Sequence, residues 1–374
     1  MLFTNACIFL PEGRFQRGCF RVENGRFTQV GEEASGEGID LQGALVLPGL
    51  VDIHTHGCAG ADFSDGDLPG LKRMGRFYAA HGVTAFCPTS MSLPYERLRE
   101  AFLTAAAYAD DPPEGGARMA GIHMEGPFLS LAKRGAQNEA YLRLPDGEAF
   151  RALNGACGGR VALVDVAPEL AGAEAFIRQA AKVCTVSLAH TEADYDRAAA
   201  AFSAGASHVT HLFNAMPPLH HRAPGLIGAA SERASVTAEL IADGLHVHPS
   251  MVRAAFRLFS GRIALISDSI RCCGLPEGAY ELGGLPVTLK GRAVRLADGT
   301  LAGSATDLFT CLKNAVAWGI PREEALLAAT LIPAKCIGKE RQIGVIRPGA
   351  FGDFLLCDEE LNLKRVYLGG RPLE

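Results

Sequence analysis

Eight short apolar runs, separated by stretches with helical spacing, constrain the fold of this chain more than any other feature. They cover residues 49–53, 83–87, 119–122, 161–164, 185–189, 209–210, 236–241 and 263–266. Strands that alternate with helices form parallel sheets, and eight of them predict a (β/α)8 barrel whose active site is built at the C-terminal ends of the strands. A chain of 374 residues is long enough for such a barrel plus a small companion domain. Hairpin signals at 19–30 and strand-like runs at 353–357 and 365–368 place that companion at the two ends of the chain. The expected division is a small β domain from residues 1–48 and 341–374, and a catalytic barrel from 49–340 with a β insert near 280–300. Helices near 306–318 and 322–330 follow the insert.

Composition removes several classes of function. Lys+Arg 36 against Asp+Glu 41 gives a net charge of −5 without a long basic run, so no nucleic acid partner is expected. No stretch approaches the length of a membrane span and no secretory signal stands at the start, so no membrane partner is expected either. The 11 cysteines are scattered without CxxC pairs, and Cys272 and Cys273 are adjacent, which suits reduced thiols in the cytoplasm.

The residues that follow the runs carry the chemistry: His54 and His56, Thr89 and Ser90, His123 and Glu125, Glu169, His190, His211, Asp243 with His246, and Asp268. A ring of strand ends brings ligands from separate elements to one point, so this collection predicts a metallohydrolase centre. In His54-Thr55-His56 the two histidines share one face of an extended strand and can hold one ion between them. Two exposed loop histidines would show the same spacing. Glu125 lies in His123-Met124-Glu125-Gly126-Pro127-Phe128, where it either ligates a metal or caps a turn. His190 and His211 are ligands or buried imidazoles bonded to backbone. Asp268 caps the next helix or, as the acid of the last strand facing a metal, shuttles a proton. GxxxxGK[ST], HExxH, GxSxG and CxxC are absent. His220 and His221 read as loop residues, His81 and His208 as helix-end or core residues, and Cys58 and Cys311 as inert thiols.

Together these segments resemble the N-acetylglucosamine-6-phosphate deacetylases of the amidohydrolase superfamily. The resemblance runs through Leu47-Pro48-Gly49-Leu50-Val51-Asp52-Ile53-His54-Thr55-His56-Gly57, the Glu125 segment and His211-Leu212-Phe213-Asn214-Ala215-Met216-Pro217. It continues through Ala242-Asp243-Gly244-Leu245-His246-Val247, Gly274-Leu275-Pro276 before Tyr280-Glu281-Leu282-Gly283-Gly284, and Leu301-Ala302-Gly303-Ser304. It implies a metal-dependent (β/α)8 TIM-like barrel with a small β-sandwich domain formed by both termini.

By the same resemblance Glu125, His190 and His211 match the main metal site, and His54 with His56 a second one, for one or two divalent ions per subunit. Zinc stands first, and iron, manganese or cobalt also suit such ligands. Ala136, Asn214, Ala215, Arg222, His246, Leu301, Ala302, Gly303 and Ser304 match substrate-contacting positions. Arg222 is expected to grip the phosphate from the neighbouring subunit of a homodimer, where its planar fork binds phosphate bidentately. Relatives tend to have histidine where Gln137 stands, at a position that helps hold the amide carbonyl. A glutamine amide still donates a hydrogen bond but carries no charge.

The expected reaction is hydrolysis of N-acetyl-D-glucosamine 6-phosphate to D-glucosamine 6-phosphate and acetate in amino-sugar catabolism, with Asp268 as acid and base. N-acetylgalactosamine 6-phosphate is the alternative sugar. A cyclic amidase of the dihydroorotase kind is a rival enzyme, but it bridges two metals with a carboxylated lysine after the fourth strand. Here that strand ends Asp165-Val166-Ala167-Pro168-Glu169. A silent sugar-phosphate sensor is the non-enzymatic rival, and it would be expected to lose Asp268 or a metal histidine.

Overall fold

The computed structural model describes residues 1–32 and 35–374. All eight apolar runs overlap strands: β1 (Leu50–Thr55), β2 (Val83–Pro88), β3 (Ile122–Met124), β4 (Val161–Val166), β5 (Thr185–Leu188), β6 (His208–Val209), β7 (Thr237–Ile241) and β8 (Ile263–Ile266). Strands β3 to β8 pair in chain order, each parallel to the next, and β1 pairs parallel with β2. Backbone bonds at the strand ends complete the ring. Thr89 bridges His123, the Asp268 N–H donates to the His54 carbonyl at 3.0 Å, and the His56 N–H donates to the Ser269 carbonyl at 2.8 Å.

Every residue of β1, β2 and β8 is buried, as strands covered on both faces must be, and their mostly apolar composition follows from that. Helices fill the outer layer. Four of them, Leu68–Ala80, Gly147–Ala156, Tyr195–Ala204 and Leu308–Ala317, start at Asp67, Asp146, Asp194 and Asp307, whose carboxylates accept orphan N–H groups of the first turn. Each such cap stabilises its helix by about 1 kcal/mol relative to alanine.

The third run departs from a simple strand. Residues Arg118–Met119 pair with β2, whereas Ile122–Met124 pairs with β4. The change of partner falls at Gly121, where an added Cβ would lie 2.5 Å from the Ala162 Cβ, so only glycine allows the close approach. Ile122, His123 and Met124 follow that switch as the strand, and Glu125 comes next at the barrel mouth.

Strands from both ends of the chain share one mixed sheet: Leu2–Leu10, Arg14–Glu23, Arg26–Gly31 and Leu45–Pro48 with Phe354–Cys357, Leu363–Leu368 and Arg371–Pro372. It curves around an aromatic core in which the Phe354 ring lies 5.1 Å from Phe3, 4.9 Å from Phe20 and 4.3 Å from Tyr367. Only Gly49 separates this sheet from β1, and a Cβ there would lie 1.9 Å from the Thr84 Oγ1. The junction therefore sets where β1, and with it His54 and His56, enters the barrel. The insert is a three-stranded antiparallel sheet, Gly278–Leu282, Leu285–Lys290 and Ala293–Arg295, placed beside the mouth. Among the described residues no helix is long and apolar enough to cross a membrane.

Candidate metal centre and active site

At the C-terminal mouth of the barrel three ligand atoms converge. His190 Nε2 and His211 Nε2 each lie 3.1 Å from Glu125 Oε1 and 3.1 Å from one another. Tetrahedral ligands 2.0–2.1 Å from zinc stand roughly 3.3 Å apart, so this triangle has the size of a metal site. The His190 Nδ1 donates to the Lys133 carbonyl at 2.7 Å, which leaves its Nε2 lone pair facing the triangle. Two imidazole nitrogens and a carboxylate at such spacing need positive charge between them, and a divalent cation satisfies all three.

A second group adjoins the first. His54 Nε2 and His56 Nε2 lie 3.4 Å apart, and Asp268 Oδ1 lies 3.5 and 3.3 Å from them. Glu125 stands between the groups, with Oε1 3.7 Å from His54 Nε2 and Oε2 3.4 Å from His56 Nε2. The His56 Nδ1 donates to the Thr89 carbonyl at 3.1 Å, and the His54 Nδ1 to Glu239 Oε2 at 2.8 Å, so both rings turn Nε2 inward.

The electrostatics follow from this crowding. Burial opposes ionisation of Glu125, but the bonds from His190 and His211 outweigh it and hold the carboxyl well below its ordinary range. Burial likewise raises Asp268, yet the His54 and His56 rings win and keep it ionised. Burial disfavours charge on His56 and His211, but Asp268 and Glu125 push the first, and Glu125 the second, up to about 9. The chain alone therefore balances its carboxylates with protons that a dication would displace.

The backbone is strained at the same places. His190, His211 and Asp268 have φ of 43°, 29° and 49°, a left-handed conformation that costs a non-glycine residue about 1–3 kcal/mol. Three strained residues, each ending a different strand, mark the site independently of their side-chain chemistry.

A cavity of about 460 Å³ opens above the cluster, a size suited to a small polar ligand. His56, Glu125, His190, His211 and Asp268 form part of its wall, together with Ala136, Gln137, Asn214, Ala215, His246, Leu301 and Gly303. The His246 ring is fixed by donating from Nδ1 to Asp243 Oδ2 at 2.8 Å. His54, Ala302 and Ser304 are buried behind this surface, and the Ser304 hydroxyl donates to the Ser267 carbonyl at 2.6 Å. Arg222 is exposed, outside the cavity wall of the same chain, and its Nη1 donates to His221 Nε2 at 2.7 Å. Gln137 is engaged at both ends. Its Nε2 donates to Glu125 Oε2 at 2.7 Å, and its Oε1 accepts the Ser92 N–H at 2.7 Å.

Sequence reasoning missed Met91, Lys133, Arg134, Leu282, Asp298 and Thr300, which also line the cavity. It also missed Glu239 behind the cluster, although a glutamate inside the apolar run 236–241 is itself a signal. His123 lies off the cavity. Its ring nitrogens donate to the Ile53 carbonyl at 3.0 Å and Asp165 Oδ1 at 2.9 Å, which makes it a charged support of the barrel interior.

The description "Amidohydrolase family" matches residues 45–373 of the chain. N-acetylglucosamine-6-phosphate deacetylase of Bos taurus is 35% identical over 388 residues, spanning 98% of this chain and 94% of that protein. The chain belongs to the amidohydrolase family, among the N-acetylglucosamine-6-phosphate deacetylases. The Bacillus subtilis (strain 168) deacetylase of that name is 37% identical over 313 residues, covering 81% of this amidohydrolase chain and 79% of the relative. A mutant of N-acetyl-D-glucosamine-6-phosphate deacetylase from Mycobacterium smegmatis, solved in complex with N-acetyl-D-glucosamine-6-phosphate, superposes with a TM-score of 0.93 at 32% identity. That match covers 100% of this chain and 99% of the other. These relatives are deacetylases by name, and the cyclic-amidase and sensor readings find no counterpart among them.

Proposed function

We propose that this amidohydrolase removes the acetyl group of N-acetyl-D-glucosamine 6-phosphate, giving D-glucosamine 6-phosphate and acetate. The observation that carries the reading is the Asp268 carboxylate, 3.5 and 3.3 Å from His54 and His56 and lining the same cavity as the Glu125, His190 and His211 triangle, in a chain whose fold matches one solved with that sugar. Glu125, His190 and His211 would hold the main ion, and His54, His56 and Asp268 fit a second. Zinc suits a site of three protein ligands with an open position, although iron, manganese and cobalt accept the same donors. A bound divalent ion supplies an acidified water and polarises the amide carbonyl.

The remaining steps belong to the chain. Asp268 takes the proton of the attacking water and delivers it to the sugar nitrogen as the amide bond breaks, because an amine leaves far more readily than its anion. His246, held by Asp243, orients a polar group of the sugar. Asn214, Ala215 and the 301–304 turn, of which Leu301 and Gly303 face the cavity, shape the sugar site, with Ala136 on the opposite loop. Gln137 closes the wall while steadying Glu125.

Arg222 anchors the 6-phosphate from the second subunit of a homodimer. Its supports are its exposure, its place outside the cavity wall of its own chain, and the Pro217, Pro218 and Pro224 residues that stiffen its loop. A cytoplasmic location fits 11 cysteines that form no disulfide among the described residues.

Acetate release tests the reading. The metal-replete protein should deacetylate the phosphorylated N-acetylglucosamine, lose activity with chelator, and act far less well on the unphosphorylated sugar. Equal activity on both sugars, or turnover that a chelator leaves intact, would refute it.

A further inference from the structure

Behind the cluster lies a carboxylate that neither wall of the cavity exposes. Glu239, on β7, is completely buried. Its Oε2 accepts the His54 Nδ1–H at 2.8 Å and also the backbone N–H of His211 at 3.2 Å. One oxygen thus touches a residue from each of the two candidate metal sites that border the cavity, while Glu239 itself groups with His54 and His123 behind them. The other oxygen faces His208 Nε2 at 3.2 Å and His123 Nδ1 at 3.7 Å. A buried carboxylate without compensation is expensive, and the chain surrounds this one with imidazoles instead of removing it.

The two contacts do different things. At His54 the bond fixes the tautomer and the ring plane, so that Nε2 points to His56 and Asp268, and it makes that nitrogen a stronger electron donor. At His211 the ring offers no such handle, because Nδ1 has no hydrogen-bond partner among the described residues. Its direction depends on the backbone, which is strained at φ 29°. The Glu239 oxygen holds that backbone N–H in place.

We propose that Glu239 is a positioning residue that couples the two metal sites, orienting the His54 ring for one and the His211 backbone for the other. The inference rests on the metal reading above. It predicts that Glu239 governs ion affinity while contributing no ligand atom.

The test is zinc uptake by the full chain carrying Glu239→Gln, from metal-buffered solution, with elemental analysis. The isosteric amide should lower affinity at the His54 site by about 10–100-fold and at the Glu125 site by a smaller factor. Asp165→Asn is the control. Asp165 is an equally buried carboxylate bonded to His123 and Thr210, and its loss should leave zinc affinity unchanged. Two zinc ions bound as tightly by Glu239→Gln as by the unmodified chain would overturn the proposal. An unmodified chain that takes up no zinc would instead refute the metal reading beneath it.

Should Glu239→Gln fail to fold, the unmodified protein decides. With cobalt in place of zinc, the His54 Nδ1–H should give a hyperfine-shifted proton signal that persists in D2O and vanishes in His54→Ala. Rapid exchange of that proton would contradict a buried bond to Glu239.

Discussion

The Gln137 amide nitrogen stands 2.7 Å from Oε2 of Glu125, the carboxylate whose other oxygen meets both His190 and His211. Because the Ser92 N–H holds the opposite end of the same amide, Gln137 is a strut between the loop after β2 and the main candidate ligand. Gln137→Leu should remove the strut with little change in volume. The expected outcome is a zinc affinity lower by about 10–100-fold, read by competition with a chelating dye. Unchanged affinity would show that Glu125 is held by its histidines alone.

Asp268→Asn keeps the shape of the side chain and removes the base. Turnover should fall by about a hundredfold or more, while the phosphorylated sugar and the main-site metal still bind. The comparison needs kcat, substrate affinity and metal content on one preparation. Near-normal kcat with full metal content would remove Asp268 from the reaction.

The two triangles predict unequal losses. His190→Ala or His211→Ala should empty the main site, whereas His54→Ala with His56→Ala should cost at most one ion per chain. Elemental analysis separates the cases. Equal loss in every variant would mean a single interdependent centre.

Stability of the metal-free chain should depend on pH through the same histidines. His56 and His211 are raised from 6.5 to about 9 by the carboxylates around them, so their protonated forms favour the fold. That contribution is complete below pH 6.5 and disappears as pH rises through about 9. The stripped protein should therefore melt several degrees lower above pH 9 than at pH 6.5, and the metal-loaded protein should show a smaller change. A stripped protein that is more stable above pH 9 would contradict this picture.

If Arg222 serves the partner's site, two inactive variants should complement each other. Arg222→Ala and Asp268→Asn, unfolded together and refolded, should recover about one site in four, since half of the random dimers are mixed and each has one intact site. Proven mixed dimers without activity would place Arg222 and Asp268 in the service of one chain.

Much of this is legible in the sequence. The eight runs are set by burial on both faces, and burial of that kind leaves a plain apolar signature. The few residues after each run fall at or just past a strand end, which is why His54, His56, Glu125, His190, His211 and Asp268 are legible in the sequence. What stayed hidden depends on side-chain direction. Gln137 read as a donor to substrate, and only the fold shows its amide bonded to Glu125. Glu239 reads as one more strand residue, because an apolar run does not say which residue turns toward the barrel axis. The division of the third run at Gly121 was equally invisible, since it follows from the approach of Ala162, 41 positions along the chain.

The central claim is metal-dependent release of acetate from N-acetyl-D-glucosamine 6-phosphate at the Glu125, His190 and His211 cluster. The direct measurement is the rate of acetate release by chelator-stripped protein as zinc is added back in known amounts. The stripped chain should release none and recover fully within one to two equivalents per chain, with His211→Ala failing to recover over the same range. Acetate release from the stripped protein, or recovery by His211→Ala at the same stoichiometry, would contradict it.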